Sequence, residues 1–221
     1  MSQHTTTDCF LFPDLFDRPL VAQFDQPQGS SDGGAIMLKA AERRLGIIFA
    51  LADGMKDERQ AGKVRHELDE LLMQRVMAIA CGYEDANDAA RLASDPVHKL
   101  LVGRDPKKGE DLASQPTLSR FENSVDRKEL FTMIEALAET VIERHRQRLH
   151  GRARRITIDL EPTDDPTHGQ QQLSFFNSHY DSYCYLPMVG FLTFNHEPEQ
   201  YLVTAVLRAA MRRGRRVRWG F

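Results

Sequence analysis

At Gly151 the hydrophobic rhythm of this 221-residue chain changes, and no other feature constrains the fold as much. Upstream, Leu130, Met133, Ile134, Leu137, Ala138, Val141 and Ile142 recur every three or four positions, the spacing of one helical face. Downstream, Ile156, Ile158 and Leu160 alternate with Thr157, Asp159 and Glu161, the period of a strand with two unlike faces. A chain patterned this way builds helices first and a sheet afterwards, an α+β arrangement.

Further helices are legible before that point. AIMLKAAERRLGIIFALA, from Ala35, reads as an amphipathic helix interrupted at Gly46. Val64, Leu68, Leu71, Leu72, Val76, Ile79 and Ala80 predict one apolar face of a helix closed by Cys81-Gly82. Short helices are expected over 85–92 and 96–102, then the polar loop GRDPKKGEDLA, then a long helix from Arg127 to Leu149. Its last turns carry Arg144, Arg146 and Arg148, which suits the negative end of the helix dipole. Leu20 to Phe24 reads as a short strand before the loop QPQGSSDGG. After ITIDLE come the loop PTDDPTHGQQQ, the run CYLPMVGFLTF, the turn NHEPEQ and the run YLVTAVL, together an antiparallel meander of three strands. The expected organisation is an arm (1–34), a helical region (35–150), a sheet region (151–207) and an Arg-rich tail (208–221).

Composition narrows the class. With 41% hydrophobic and 28% charged residues the chain is a folded globular protein rather than a disordered or fibrous one. No apolar run approaches the roughly 18 residues of a membrane span, and the N-terminus lacks the basic and apolar regions of a secretion signal. Cys9, Cys81 and Cys184 match neither a disulfide framework nor a metal knuckle. A reduced cytoplasmic protein is expected. Charge is divided unevenly. Residues 1–143 hold 17 Lys and Arg against 25 Asp and Glu, a net of −8, and residues 144–221 hold 12 Arg against 7 acids, a net of +5. The C-terminal part is therefore suited to an anion, nucleic acid foremost, although solvated Arg-rich helix ends read the same way.

Asp159, Glu161, Asp164 and Asp165 form the densest chemical cluster of the sequence. Asp159 and Glu161 lie on the same side of a strand, about 7 Å apart along it. Two such carboxylates repel each other unless a cation lies between them, and Mg²⁺ prefers oxygen ligands of this kind. The same acids also read as solubilising groups on an exposed strand. His168, His179 and His196, with Cys184, match no closed zinc spacing. Tyr180, Tyr183 and Tyr185, with Phe175 and Phe176, suit either stacking on bases or packing within a sheet.

The run IDLEPTDDPTHGQQQLSFFNSHYDSYCYLPMVGF resembles the first-acidic-residue region of DDE-type insertion-sequence transposases, nearest the group numbered thirteen-eighty. His168-Gly169, Gln171, Asn177, His179-Tyr180 and Tyr185-Leu186-Pro187 match that group's pattern. GGAIMLKAAERRLG, KVRHELDELLMQRVMAIACGYEDANDAARLASDP and LASQPTLSRFEN resemble its N-terminal region, so the likeness spans residues 20–208. The resemblance implies an RNase-H-like core, here its first three strands. It also implies Mg²⁺ (or Mn²⁺) held by two Asp and one Glu, and cleavage and strand transfer of double-stranded DNA at terminal inverted repeats. By the same resemblance Asp159 and Glu161 are the catalytic and metal-ligating residues here, and the helical region binds DNA and forms a homodimer, or a mixed dimer with a full-length copy, with no membrane involved and with nucleoid association in a bacterial cytoplasm. Ser114–Asn123 reads as the start of a recognition helix, with Ser114 as its cap, Pro116 early in it and Thr117, Ser119 and Arg120 toward DNA. Arg152, Arg154 and Arg155 complete the expected nucleic-acid contacts.

Two features depart from the group. Its Asp-x-Asp-x-Thr reads Asp159-Leu160-Glu161-Pro162-Thr163 here, so either Asp159 or Glu161 is the ligand. After AVLR the group continues with Pro-Gly-Asn and later with an Arg-Gly-Asp and a final Glu, whereas this chain reads AAMRRGRRVRWGF. A truncated or frameshifted copy is expected, unable to transpose DNA alone, still able to bind ends. The alternatives are a helical protein-interaction module without nucleic-acid chemistry and a minimal metal-dependent nuclease. A sheet stopping at its third strand keeps an open edge and an uncovered apolar face, so residues beyond 150 are expected to be less well protected than 35–150.

Overall fold

The computed structural model describes residues 14–15, 20, 29–169 and 171–209. The expected strand over 20–24 and nearly all of the tail lie outside them. Seven α-helices precede two antiparallel three-stranded sheets among the described residues, a mixed α+β arrangement. The chain divides into two compact units, Met1–Leu130 and Phe131–Phe221.

The first unit holds α1 (Ala35–Leu45), α2 (Ile47–Asp53), α3 (Leu68–Ala80), α4 (Ala89–Leu92), α5 (Pro96–Leu101) and α6 (Gln115–Ser124). The helix read across Gly46 is indeed broken there. Gly46 adopts φ 65°, a left-handed conformation that a residue with a Cβ adopts only at a cost. The side chain of Glu42, buried in the bend, accepts from the N–H groups of Ile48 (2.8 Å) and Phe49 (3.4 Å) and so caps α2.

α3 is the centre of the unit and touches α2, α5 and α6. Its buried residues are Leu71, Leu72, Met73, Gln74, Met77 and Ala78, while Val76, Ile79 and Ala80 are exposed and Val64 precedes the helix. The face expected from periodicity is therefore rotated. LDELLMQRVMAIA is apolar enough to offer two faces, and Gln74 selects one of them. Its amide donates to the Ala113 carbonyl (2.9 Å) and accepts from the Ala113 N–H (3.0 Å), bonds that have to be made once those groups are buried.

Polar ties close the unit. His98, buried on α5, meets Asp32 at 2.9 Å, and the Tyr83 hydroxyl donates to the same carboxylate at 2.9 Å. Burial pushes the Asp32 carboxyl up, but hydrogen bonds from His98, Tyr83 and Ser31 outweigh it and hold the group below the ordinary carboxylate range.

The second unit contains most of α7 (Arg127–Arg148), followed by β1 (Ile156–Pro162), β2 (Asp165–Pro166), β3 (Phe175–Asn177), β4 (Ser182–Tyr185), β5 (Met188–Phe194) and β6 (Tyr201–Val206). One sheet runs β1-β5-β6 and the other β2-β4-β3, all antiparallel. The three-strand meander is thus present as β1-β5-β6, with a second sheet inserted in it. CYLPMVGFLTF, expected as one strand, is two strands in different sheets. The break falls at Leu186-Pro187, where Pro187 brings no N–H to a ladder. Part of the stretch expected as a loop is strand β2.

Leu192, Phe194 and Val203 form the buried core of this unit, packed by Ala138, Val141, Leu149 and Tyr201. His145 is the buried residue of α7, its ring 4.7 Å from that of Phe194 and 3.9 Å from that of Tyr201. Of the expected α7 stripe, Leu130 and Ile142 are exposed and the others half-buried. No helix among the described residues is long and apolar enough to cross a membrane.

Candidate functional site

Register decides where the carboxylates of β1 point. Ile156 lies opposite Phe194 and Ile158 opposite Leu192, so these side chains share the face on which α7 packs. Asp159 lies opposite Phe191 and Glu161 opposite Val189, which places both carboxylates on the other face. Both are exposed there, and the Gln200 amide donates to Asp159 at 3.4 Å. Residues 156–207 contain seven acids and neither Lys nor Arg, and one of the seven, Glu197, is paired with Arg148.

The resembling motif builds the inserted sheet beside the end of β1. The Asn177 side chain accepts from the His179 N–H (2.9 Å), and the Tyr180 hydroxyl donates to the Pro162 carbonyl (3.4 Å) next to Glu161. The Tyr185 hydroxyl donates to the Gln172 carbonyl (2.5 Å), and the Thr167 and Ser174 hydroxyls meet at 2.6 Å. Phe176 and Tyr183 are cross-strand partners with ring centroids 5.5 Å apart, and both are exposed. Asp165 stands on β2 rather than beside Asp159. Among the described residues no three His, Cys, Asp or Glu side chains gather as a metal cluster. Asp159 and Glu161 suit Mg²⁺ as a pair of hard oxygen donors on an open face, because that ion commonly takes one or two carboxylates and fills its remaining positions with water and substrate phosphate.

Arg152, Arg154 and Arg155 lie exposed between α7 and β1. The backbone of Arg154 and Arg155 is pinned by Asn195, whose side chain accepts from the Arg154 N–H (2.9 Å) and whose N–H donates to the Arg155 carbonyl (2.8 Å). Asn195 holds φ 58° to do so, a conformation Asn tolerates better than most residues. Periodicity does not reveal this anchor, although the turn NHEPEQ marks its position. Arg148 is engaged elsewhere. Its guanidinium grips Glu197 with two hydrogen bonds of 3.0 and 2.6 Å and holds that carboxyl below its usual range.

On α6, Leu118 and Phe121 are buried and Arg120 is exposed. Arg120 reaches the Thr117 hydroxyl at 3.4 Å, so these two share a face, as residues three apart do. Ser119 points elsewhere, because two helical steps turn a side chain roughly 200° from Thr117. The three expected contacts are therefore not one cluster. Nor does the Ser114 side chain cap the backbone. Its hydroxyl meets that of Thr117 at 3.2 Å instead.

A family model described as Transposase DDE domain group 1 matches residues 12–218. The chain belongs to this DDE transposase family. Membership implies a transposase-like function, DNA as the partner and a divalent metal as the usual cofactor of the family. The match includes both β1 carboxylates of this transposase-family chain and the helices before them. No curated protein and no solved structure matches the chain.

Proposed function

We propose that this chain is an insertion-sequence transposase of the group numbered thirteen-eighty that binds terminal inverted repeats and dimerises. The observation that carries the reading is the pair Asp159 and Glu161 on the open face of β1, inside a DDE-family match. β1-β5-β6 reads as the opening of an RNase-H-like core. A divalent cation held by the pair would polarise a phosphodiester and stabilise its leaving oxygen. Asp159, which accepts from Gln200, and Glu161, next to the Pro162 carbonyl that accepts from Tyr180, would be its protein ligands.

DNA is held by arginine. Arg154 and Arg155 present their charges from a backbone pinned by Asn195, with Arg152 just before them, so it is mainly side chains that have to order when phosphates bind. Thr117 and Arg120 offer a second contact from α6, and Ser119 a separate one.

A mobility-shift titration with the inverted-repeat DNA tests this. Binding is expected to weaken steeply with salt, and replacing Arg152, Arg154 and Arg155 by Ala should reduce the log–log salt slope by about 3. Absence of a shift at low salt would overturn the reading in favour of a protein-interaction module.

A further inference from the structure

Residues 102–114, between α5 and α6, carry six charged side chains, and four of them are turned to partners within the chain. The Asp105 carboxylate accepts from the N–H groups of Lys107 (2.9 Å) and Lys108 (2.8 Å). Glu110 meets the Arg65 guanidinium at 3.3 Å, and Asp111 meets the Lys99 ammonium at 2.9 Å. Arg104 grips Glu70 and donates to the Glu110 and Asp111 carbonyls at 3.1 and 2.6 Å. Lys107 and Lys108 differ. Both are exposed, and neither takes part in the ion pairs that Arg65, Lys99 and Arg104 make around them. The group holds five cations (Arg65, Lys99, Arg104, Lys107, Lys108) and four acids (Glu70, Asp105, Glu110, Asp111), a net of +1, and its two unpaired cations point outward.

The backbone beneath them is closed into a turn. The Gly109 N–H donates to the Asp105 carbonyl at 3.0 Å, and a Cβ on Gly109 would collide with that same oxygen. Pro106 fixes one φ of the turn, and the buried Lys99 donates to the Gly109 carbonyl at 3.1 Å, which ties the tip to α5. At the exit the Leu112 N–H donates to the Ala93 carbonyl (2.9 Å) and the Ala113 N–H to the Gln74 side chain (3.0 Å). Leu112 and Ala113 are buried, and α6 begins two residues later. Only the two lysine side chains are left to order when a ligand arrives.

We infer that Lys107 and Lys108 hold the phosphate backbone of duplex DNA beside α6. The inference rests on the DNA-binding reading above and adds a contact in the helical unit, next to Thr117 and Arg120. The N–H groups of both lysines are already given to Asp105, so the ammonium groups alone make the contact. Such point charges suit phosphate oxygens and carry no base preference. Their role is to fix how α6 sits on the duplex. Residues 1–143 sum to −8, so a polyanion is repelled by most of this unit and approaches it where cations stand outermost.

The test is a mobility-shift titration of the full chain over a salt series, with the inverted-repeat duplex and with an unrelated duplex of equal length. Replacing Lys107 and Lys108 by Ala should lower the log–log salt slope by about 2. It should also weaken binding to both duplexes by the same factor, since phosphates are common to both. Replacing the pair by Arg should preserve the slope. Both side chains are exposed, so the circular dichroism spectrum should not change in either variant. An alanine variant with an unchanged slope, or one that loses affinity for the inverted repeat alone, would overturn this inference and leave the DNA-binding reading standing. An unmodified chain that shifts neither duplex at low salt would overturn both.

Discussion

Leu101 in the helical unit and Ile158 in the sheet unit are similar aliphatic residues in very different places, one with no exposed surface and the other with 65%. In the helical unit Leu71, Met73 and Met77 on α3, Leu101 on α5 and Leu118 and Phe121 on α6 are all buried, and polar ties run through Gln74, Glu42 and the Asp32–His98 contact. In the sheet unit the buried set is Leu192, Phe194 and Val203, on β5 and β6. Helices can surround their own core, but a three-stranded sheet with one helix on it covers only the middle of one face. The first unit is therefore stabilised mainly within itself, whereas the second leaves apolar surface for something else to cover.

Leu101→Ala should be the costliest test of this contrast, about 2–5 kcal/mol by the usual price of an unfilled core site, read from denaturant unfolding of the helical unit. Next comes Gly190→Ala, on the one crowded spot of the sheet. A Cβ there would lie 2.5 Å from Thr204 Cγ2 and 3.1 Å from Leu160 Cδ2, so a loss of about 1–3 kcal/mol is expected in thermal melting of the sheet unit. If that variant is neutral, the sheet is looser than its register implies. Glu42→Ala removes the cap of α2 and should cost about 0.5–2 kcal/mol, visible as faster amide exchange at Ile48 and Phe49.

Acidification sharpens the comparison further. Burial, then the charge of Arg148, holds the His145 imidazole below its ordinary value against the pull of Glu197. Between the ordinary value of about 6.5 and the lower folded one, the unfolded chain binds more protons. Stability of the sheet unit should therefore fall as pH drops below about 6.5 and level off under the folded value. His145→Phe, which keeps a ring against Phe194 and Tyr201, should flatten this loss in exchange measurements on β5 and β6. The helical unit keeps the same sign through His66, also depressed by burial. It loses the contribution of Asp32 only as pH falls from about 4 through that group's lowered value. The smallest effect belongs to Ile158→Ala, within about 0.5 kcal/mol for folding of the single chain. A larger loss in that monomer would mean that the β1 face is covered after all.

Much of the arrangement was legible beforehand, because it rests on local rules. The break at Gly46 follows from glycine's left-handed freedom, the end of α3 from its apolar run stopping at Cys81-Gly82, and the shared face of Asp159 and Glu161 from the two-residue period of a strand. Other features were not legible. The rotation of α3 turns on a Gln74–Ala113 contact 39 residues apart in the chain. The separation of Ser119 from Thr117 and Arg120 shows only when α6 is laid on its own core. The inserted sheet hides in a stretch rich in Pro, Asp and Gln, where strands of two to four residues have no period to display.

From the sequence alone come the helix-then-sheet order, the charge division and the two carboxylates on one strand face, since periodicity and composition are properties of neighbouring residues. The tertiary structure alone decided which face α7 covers, which residues of β1 bond toward β5 and how Asn195 anchors Arg154 and Arg155. Each of these depends on the strand pairing of β1 with β5, and the partner in a ladder is chosen by distant packing rather than by the residues of either strand.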